Sequence, residues 1–283
     1  MGSYSKILVA FDGSESSRNA LSQTLSKFEE SWIKVLIVVP AYEGELELVG
    51  IHDIQSLLRG PTKELTQAAQ EIVGSESARV NIDVVKGEAF ERIIDVAKNE
   101  SCTLIVMGRR GLHRVERMLM GSVTAKVIVH SSTDILVIPR EAQISWDNII
   151  VATDGSTDSE KALRKAIDLG KSRGGDVIGV KVVDMHPEHY ADAAGVVDKL
   201  DIKAKTVLET AVASASAEGV ELKTQLLHGD PAGEITGYAR KSDAGIIFVG
   251  SRGLTGLKKI FLGSVAEKVI GLSPCAVYVT KPD

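Results

Sequence analysis

Residues 107–123 read MGRRGLHRVERMLMGSV, and residues 249–265 read VGSRGLTGLKKIFLGSV. Each stretch closes an apolar run, sets two glycines three apart, spans nine residues and ends on Gly-Ser-Val. Glycine has no Cβ, so backbone amides at such places can approach a ligand closely. A Gly-Ser pair that opens a helix presents unpaired N–H groups and the positive end of the helix dipole, which suit an anion. Gly108, Gly111, Gly121 and Ser122 therefore read as a phosphate cradle, repeated at Gly250, Gly253, Gly263 and Ser264. Arg109, Arg110 and Arg252 can add charge, and the Ser122 and Ser264 hydroxyls can bond a phosphate oxygen or a metal-bound water. The purely structural alternative is a pair of turns, with Ser122 as the N-cap of its helix.

Sliding the chain against itself shows that the motif belongs to a longer repeat. At a shift of 142 residues, Ile7, Val9, Ala10, Asp12, Gly13 and Ser14 recur as Ile149, Val151, Ala152, Asp154, Gly155 and Ser156, and Gly87 recurs as Gly229. Solenoid repeats run about 20 to 50 residues, so a repeat of this length is a duplicated domain. The expected domains are 1–141 and 146–283, with the boundary near PREAQISWDN at 139–148.

Within one unit, KILVAFDGS reads as a strand and turn, and Ala20, Leu21, Thr24, Leu25 and Phe28 recur at helical spacing. VLIVV is a continuous apolar run, as in a strand covered on both faces. A helical pattern over 54–72, a strand at VNIDVV, a helix over 88–98, a strand at CTLIVM, a helix from Ser122 and a strand at DILVI follow. Alternation of this kind predicts an α/β fold: two tandem doubly wound, Rossmann-like domains, each a five-stranded parallel sheet with helices on both faces. Ligands in such sheets sit outside the carboxyl ends of the strands, where Asp12 and Gly108 fall.

The motif is neither a P-loop, since no Gly-Lys-Ser/Thr ends either loop, nor the dinucleotide fingerprint, since G-x-G-x-x-G is missing after the first strand. It resembles that of the universal stress protein family in its ATP-binding branch, whose pattern G-x2-G-x9-G-S/T is met in full twice. The resemblance extends over the whole chain as a tandem of two such domains. It implies the adenine-nucleotide alpha hydrolase-like fold, ATP with Mg2+ as ligand, and a regulatory role in the stress response. Weak ATPase or phosphate-transfer activity, or a nucleotide-free dimerisation scaffold, are the alternatives. The implied nucleotide contacts are Met107, Gly108, Arg110, Gly111, Gly121, Ser122 and Val123, with Val249, Gly250, Arg252, Gly253, Gly263, Ser264 and Val265 in the second copy. Asp12 and Asp154 match the family's aspartate after the first strand, and a carboxylate there suits a ribose hydroxyl or an adenine amino group; the structural alternative is an Asx turn leading into the helix.

The resemblance also places an adenine-reading backbone at the end of the second strand, which the 142-residue shift puts at Pro40 and Val182. Proline has no N–H to donate. The second copy, which also carries GDPAGEI at 229–235 where the first has GEAFERI, is expected to bind ATP more tightly. Family members pair through their fifth strands, so DILVIP and CAVYVT are expected to meet as an intrachain pseudo-dimer and hide two apolar edges. A homodimer is a further option.

The 283 residues are 44% hydrophobic and 25% charged, with a net charge of -5, so nothing draws the chain globally to nucleic acid or anionic lipid. No apolar run reaches the roughly 18 residues of a membrane span, and no signal peptide is legible, so a cytoplasmic location is expected. Cys102 and Cys275 make neither a disulfide framework nor a metal cluster. His186 and His189 with their acidic neighbours read as a solvated loop rather than a zinc site, and His113 as a loop residue. Arg114, Arg117, Lys258 and Lys259 make the nine-residue inserts basic without the aromatics of a nucleic-acid surface. No catalytic set is signalled, and chemistry would be limited to slow phosphoanhydride hydrolysis.

Overall fold

Val and Ile are at ease on a pleated surface covered on both sides, and the apolar runs become strands. In the computed structural model, which describes residues 4–41, 54–111, 120–184, 195–253 and 262–282, the first repeat begins with β1 (Lys6–Ala10), α1 (Glu15–Lys27) and β2 (Trp32–Val39). It continues with α2 (Ile54–Val73), a 3-10 segment (Gly74–Arg79), β3 (Val80–Lys86), α3 (Ala89–Asn99) and β4 (Leu104–Gly108), and closes with α4 (Ser122–His130) and β5 (Ile135–Ile138). The second repeat begins with β6 (Asn148–Ala152), α5 (Thr157–Arg173), β7 (Asp176–Asp184) and α6 (Val196–Ala217). It ends with β8 (Leu222–Gly229), α7 (Pro231–Lys241), β9 (Ile246–Gly250), α8 (Ser264–Leu272) and β10 (Ala276–Thr280). The chain divides into an N-terminal unit, Gly2–Thr133 with Ile138–Glu141, and a C-terminal unit, Asp134–Val137 with Ala142–Asp283.

In the N-terminal unit the strands run in the order β3-β2-β1-β4, with parallel pairing on both sides of β1. Ile7, Leu8, Val9, Val35, Ile37, Leu104, Ile105 and Val106 are fully buried. Helix α1 starts where the Ser14 hydroxyl accepts from Ser17 N at 3.2 Å, and it turns Ala20, Leu21 and Leu25 inward. Burying a side chain such as Leu21 is worth roughly 2 kcal/mol, so this face seats the helix on the sheet.

In the C-terminal unit the order is β5-β10-β9-β6-β7-β8, parallel except where β10 meets β5. The two fifth strands do meet: Val277 lies opposite Val137, Tyr278 opposite Leu136 and Val279 opposite Ile135. Tyr278, fully buried, stacks on Phe248 with ring centroids 4.7 Å apart and donates its hydroxyl to Asp134 Oδ2 at 2.8 Å. Asp134 Oδ1 accepts from Lys281 N at 2.9 Å, so one carboxylate ties the start of β5 to the end of β10.

Cys102 and Cys275 are free, buried thiols. Burial pushes Cys275 up to about 11, which keeps it protonated and inert. Among the described residues, no helix is long and apolar enough to cross a membrane, and no group of three or more His, Cys, Asp or Glu side chains could hold a metal ion.

Candidate functional site

In both units β1 or β6 lies between two parallel neighbours whose chain connections leave in opposite directions, which opens a crevice at the carboxyl ends. Asp154, two residues past β6, stands at that rim. Its Oδ1 accepts from Ser156 N at 2.9 Å, and Gly155 takes a φ of 86°, so an Asx turn leads into α5. The N-terminal unit repeats the turn, with Ser14 N donating to Asp12 Oδ1 at 3.0 Å and Gly13 at φ 78°.

The turn uses one carboxylate oxygen, and the other faces the glycine loop. A Cβ on Gly253 would lie 2.7 Å from Asp154 Oδ2, and one on Gly111 would overlap Asp12 Oδ2. A Cβ on Gly250 would lie 2.8 Å from the carbonyl carbon of Asp158, so only glycine lets β9 end against the first turn of α5. The far end of the loop returns to its start, because Gly263 N donates to Ser251 O and Gly121 N to Arg109 O, each at 2.9 Å.

Gly121 and Gly263, not the serines that follow, are the N-caps of α4 and α8, and neither helix has a side-chain cap. By contrast Ser14, Ser156 and Asp230 cap α1, α5 and α7 with their side chains. The first intrahelical bonds go to Ala125 N and Glu267 N. The amides of Ser122, Val123 and Thr124, and of Ser264, Val265 and Ala266, therefore stand ahead of the helical ladder, where an anion fits. The Ser122 and Ser264 side chains are exposed at these helix heads.

In the C-terminal unit the parts enclose a cavity of about 360 Å³, within the range of small-ligand sites. Asp154, Val182, Val249, Gly250, Arg252, Gly253, Gly263, Ser264 and Val265 all line it. So do Pro231 and Ile235 of the GDPAGEI stretch, where Asp230 Oδ2 accepts from Gly233 N at 2.8 Å and starts α7. Lys181 and Asp184 line it too, although the repeat does not signal them. Burial lowers the Lys181 pKa, and the charge of Asp154 partly offsets this. In the N-terminal unit Asp12 follows β1, Met107 and Gly108 end β4, Arg110 and Gly111 follow, and Gly121, Ser122 and Val123 form the head of α4. His113, Arg114, Arg117, His186, His189, Lys258 and Lys259 lie outside the described residues.

The pairing of Pro40 with Val182 does not hold. Ala10 lies opposite Leu36 and Phe11 N donates to Leu36 O, whereas Ala152 lies opposite Val180 and Thr153 N donates to Val180 O. The second strands are therefore related by 144 residues, and the structural counterpart of Val182 is Val38. The sheet returns to a shift of 142 at the third strand, where Ile33 faces Val80 and Val177 faces Leu222. Two residues gained before β7 are given back before β8, which hides the offset from a comparison of the flanking motifs. Val38 has an amide, so a missing N–H at Pro40 gives no ground for a weaker N-terminal site.

The universal stress protein family model matches the chain twice, over residues 3–139 and 145–281. The chain belongs to this family. A universal stress protein of Methanocaldococcus jannaschii is 36% identical over 146 residues, covering 50% of this chain and 86% of that protein. One of Bacillus subtilis is 34% identical over 149 residues, covering 48% of this chain and 99% of that protein. Each relative thus corresponds to about one of the tandem universal stress protein domains. A universal stress protein structure from Archaeoglobus fulgidus covers 99% of both chains at 25% identity with a TM-score of 0.73. A putative universal stress protein of Pseudomonas aeruginosa, 16% identical, covers 99% of this chain and 94% of its own with a TM-score of 0.66, and so shares the fold.

Proposed function

We propose that this universal stress protein binds an adenine nucleotide, ATP with Mg2+, in each domain, and acts in the cytoplasm as a regulatory module whose occupancy is passed to partners. The observation that carries the proposal is the cavity in which Asp154, the glycines of 250–263 and the uncapped head of α8 converge. The helix amides and Arg252 would take phosphate oxygens, with Ser264 beside them. Asp154 would take a hydroxyl or amino group of the nucleoside, and the backbone of Val182 the base. In the N-terminal unit Asp12, Val38, Arg110, Gly111 and the Gly121–Val123 helix head would play the same parts. Ser122 and Ser264, exposed at the helix heads, would hold the Mg2+ that accompanies the nucleotide through its bound water, and the ion would supply charge neutralisation for the phosphates. The antiparallel junction of the fifth strands supports an intrachain pseudo-dimer of the two domains.

The test is to extract small molecules from purified protein for mass spectrometry and to titrate the emptied chain with ATP. Recovery of an adenine nucleotide and saturable binding are expected. No adenine nucleotide in the extract and no binding at millimolar ATP would favour the scaffold instead.

A further inference from the structure

Lys181 lines the C-terminal cavity together with Asp154, Val182 and Asp184. The last pair between β6 and β7 joins Ala152 to Val180, so Lys181 is the first residue of β7 to run past β6, level with the turn that carries Asp154. Burial opposes its charge, and the charge of Asp154 favours it. Among the described residues its ammonium neither donates a hydrogen bond nor forms an ion pair, so the attraction of Asp154 acts across a gap. A lysine drawn partly out of water, with three N–H donors and no protein acceptor, gains from an acceptor that enters the cavity.

The group that fits the gap has to donate to one side and accept from the other. Asp154 only accepts: its Oδ1 takes Ser156 N at 2.9 Å and its Oδ2 faces Gly253, yet each carboxylate oxygen has two lone pairs. An amino group would answer Asp154 and leave the lysine with nothing. A phosphate would answer the lysine but meet the carboxylates of Asp154 and Asp184 on the same lining. A vicinal diol does both, since one hydroxyl donates to the carboxylate while the other offers a lone pair to the ammonium. The phosphate end of the cavity is separate: there Asp158 holds Arg252, accepts from Ser251 Oγ at 3.2 Å, and feels the charge of Lys281. A diol between that end and Val182 is where a nucleotide carries its ribose.

The N-terminal unit has no such donor. Ala10 pairs with Leu36 as Ala152 does with Val180, so the place of Lys181 is held by Ile37, apolar and fully buried.

We propose that Lys181 is a specificity-determining residue which, with Asp154, clamps both hydroxyls of the ribose, so that the C-terminal site reads the intact diol and the N-terminal site reads one hydroxyl only, through Asp12. This rests on the nucleotide-binding reading of the two sites and assigns the sugar that each accepts.

The experiment measures ATP, 2′-deoxyATP, 3′-deoxyATP and GTP affinity by calorimetry in the full-length chain with the N-terminal site blocked by Gly111→Leu, whose side chain would overlap Asp12. Each deoxy nucleotide is expected to bind about tenfold more weakly than ATP, the size of one hydrogen bond to a charged group. Adding Lys181→Met should weaken ATP about tenfold, leave one deoxy nucleotide unchanged and so erase the preference for that hydroxyl, while the preference held by Asp154 persists. An equal loss for all four ligands would make the lysine structural, and a change confined to the ratio of ATP to GTP would make it a reader of the base; either overturns the clamp. If Lys181→Met unfolds, the N-terminal site decides in the Gly253→Leu chain: it is expected to discriminate against one deoxy nucleotide only, and equal discrimination against both overturns the assignment. Failure of ATP to bind the parent chain overturns nucleotide binding itself.

Discussion

Asp158 holds Arg252 by two hydrogen bonds, from Nε at 3.1 Å and Nη2 at 3.5 Å, and so fastens the glycine loop to the first turn of α5. Its side chain is 9% exposed and Arg252's is 26% exposed, so solvent replaces little of what a deletion removes. Asp158→Ala leaves a guanidinium and the Ser251 hydroxyl without their acceptor, which is expected to cost about 2–4 kcal/mol. Ser16→Ala, at the matching place in α1, is expected to cost under about 1 kcal/mol. Urea unfolding followed at Trp146 for the C-terminal unit and Trp32 for the N-terminal unit separates the two. Equal losses would show that the ion pair does not fasten the loop.

The glycines of the motif are expected to differ in what they tolerate. A Cβ at Gly250 meets α5 backbone at 2.8 Å, and backbone cannot rotate aside, so Gly250→Ala should destabilise by about 1–3 kcal/mol. Gly263 takes a φ of -62° and the nearest atom to its added Cβ is 3.5 Å away, so Gly263→Ala should change stability by under about 0.5 kcal/mol. Thermal melting of both variants checks the order, and a Gly263→Ala loss as large as that of Gly250→Ala would refute it.

The fold is legible in the chain because its signals are local. Apolar runs such as VLIVV report burial on both faces, Ser14 and Ser156 mark helix starts, and the spaced glycines mark where strand, loop and helix head meet. What escapes is set by register. The Val38–Val182 correspondence depends on two residues gained before β7 and lost after it, and the matching blocks on either side carry no trace of the change. Lys181 escapes for a related reason. It lies in an apolar strand, and its place beside Asp154 follows only once that register is known. The Asp158–Arg252 pair joins residues 94 apart in sequence, a spacing with no local signature.

Acid should weaken the N-terminal unit through Glu100. Its carboxylate takes Lys34 Nζ at 2.5 Å and Lys6 Nζ at 2.7 Å, and Lys34, which also reaches Asp83 at 3.1 Å, is buried in β2. The hydrogen bond from Lys34, then that from Lys6, holds the Glu100 pKa below its ordinary 4.5. A depressed carboxylate contributes stability that is complete above the unfolded pKa and lost as pH falls through the folded one. The carboxylate is partly exposed, so its share is of order 1 kcal/mol. Glu100→Gln should therefore lower the Trp32-monitored urea midpoint at pH 7, and its deficit against the parent chain should shrink as pH falls below 4.5 towards pH 3. A deficit of the same size at both pH values would assign the loss to packing rather than charge.

Alkali should act in the opposite sense through Lys281, just past β10. Burial, and after it the charge of Arg252, pulls its pKa from 10.5 down to about 8, although Asp158 and Asp134 favour the charged form. Between pH 8 and 10.5 the unfolded chain holds this proton while the folded chain has released it, so stability from this group rises with pH. Below pH 8 the penalty is complete, up to about 3 kcal/mol at 1.36 kcal/mol for each pKa unit. Lys281→Met keeps the length of the side chain and removes the charge. It should raise the Trp146-monitored urea midpoint at pH 7, and its advantage over the parent chain should shrink steadily from pH 8 to pH 10.5. An advantage that stays constant over that interval would trace the gain to apolar packing and leave the Lys281 ammonium without a cost.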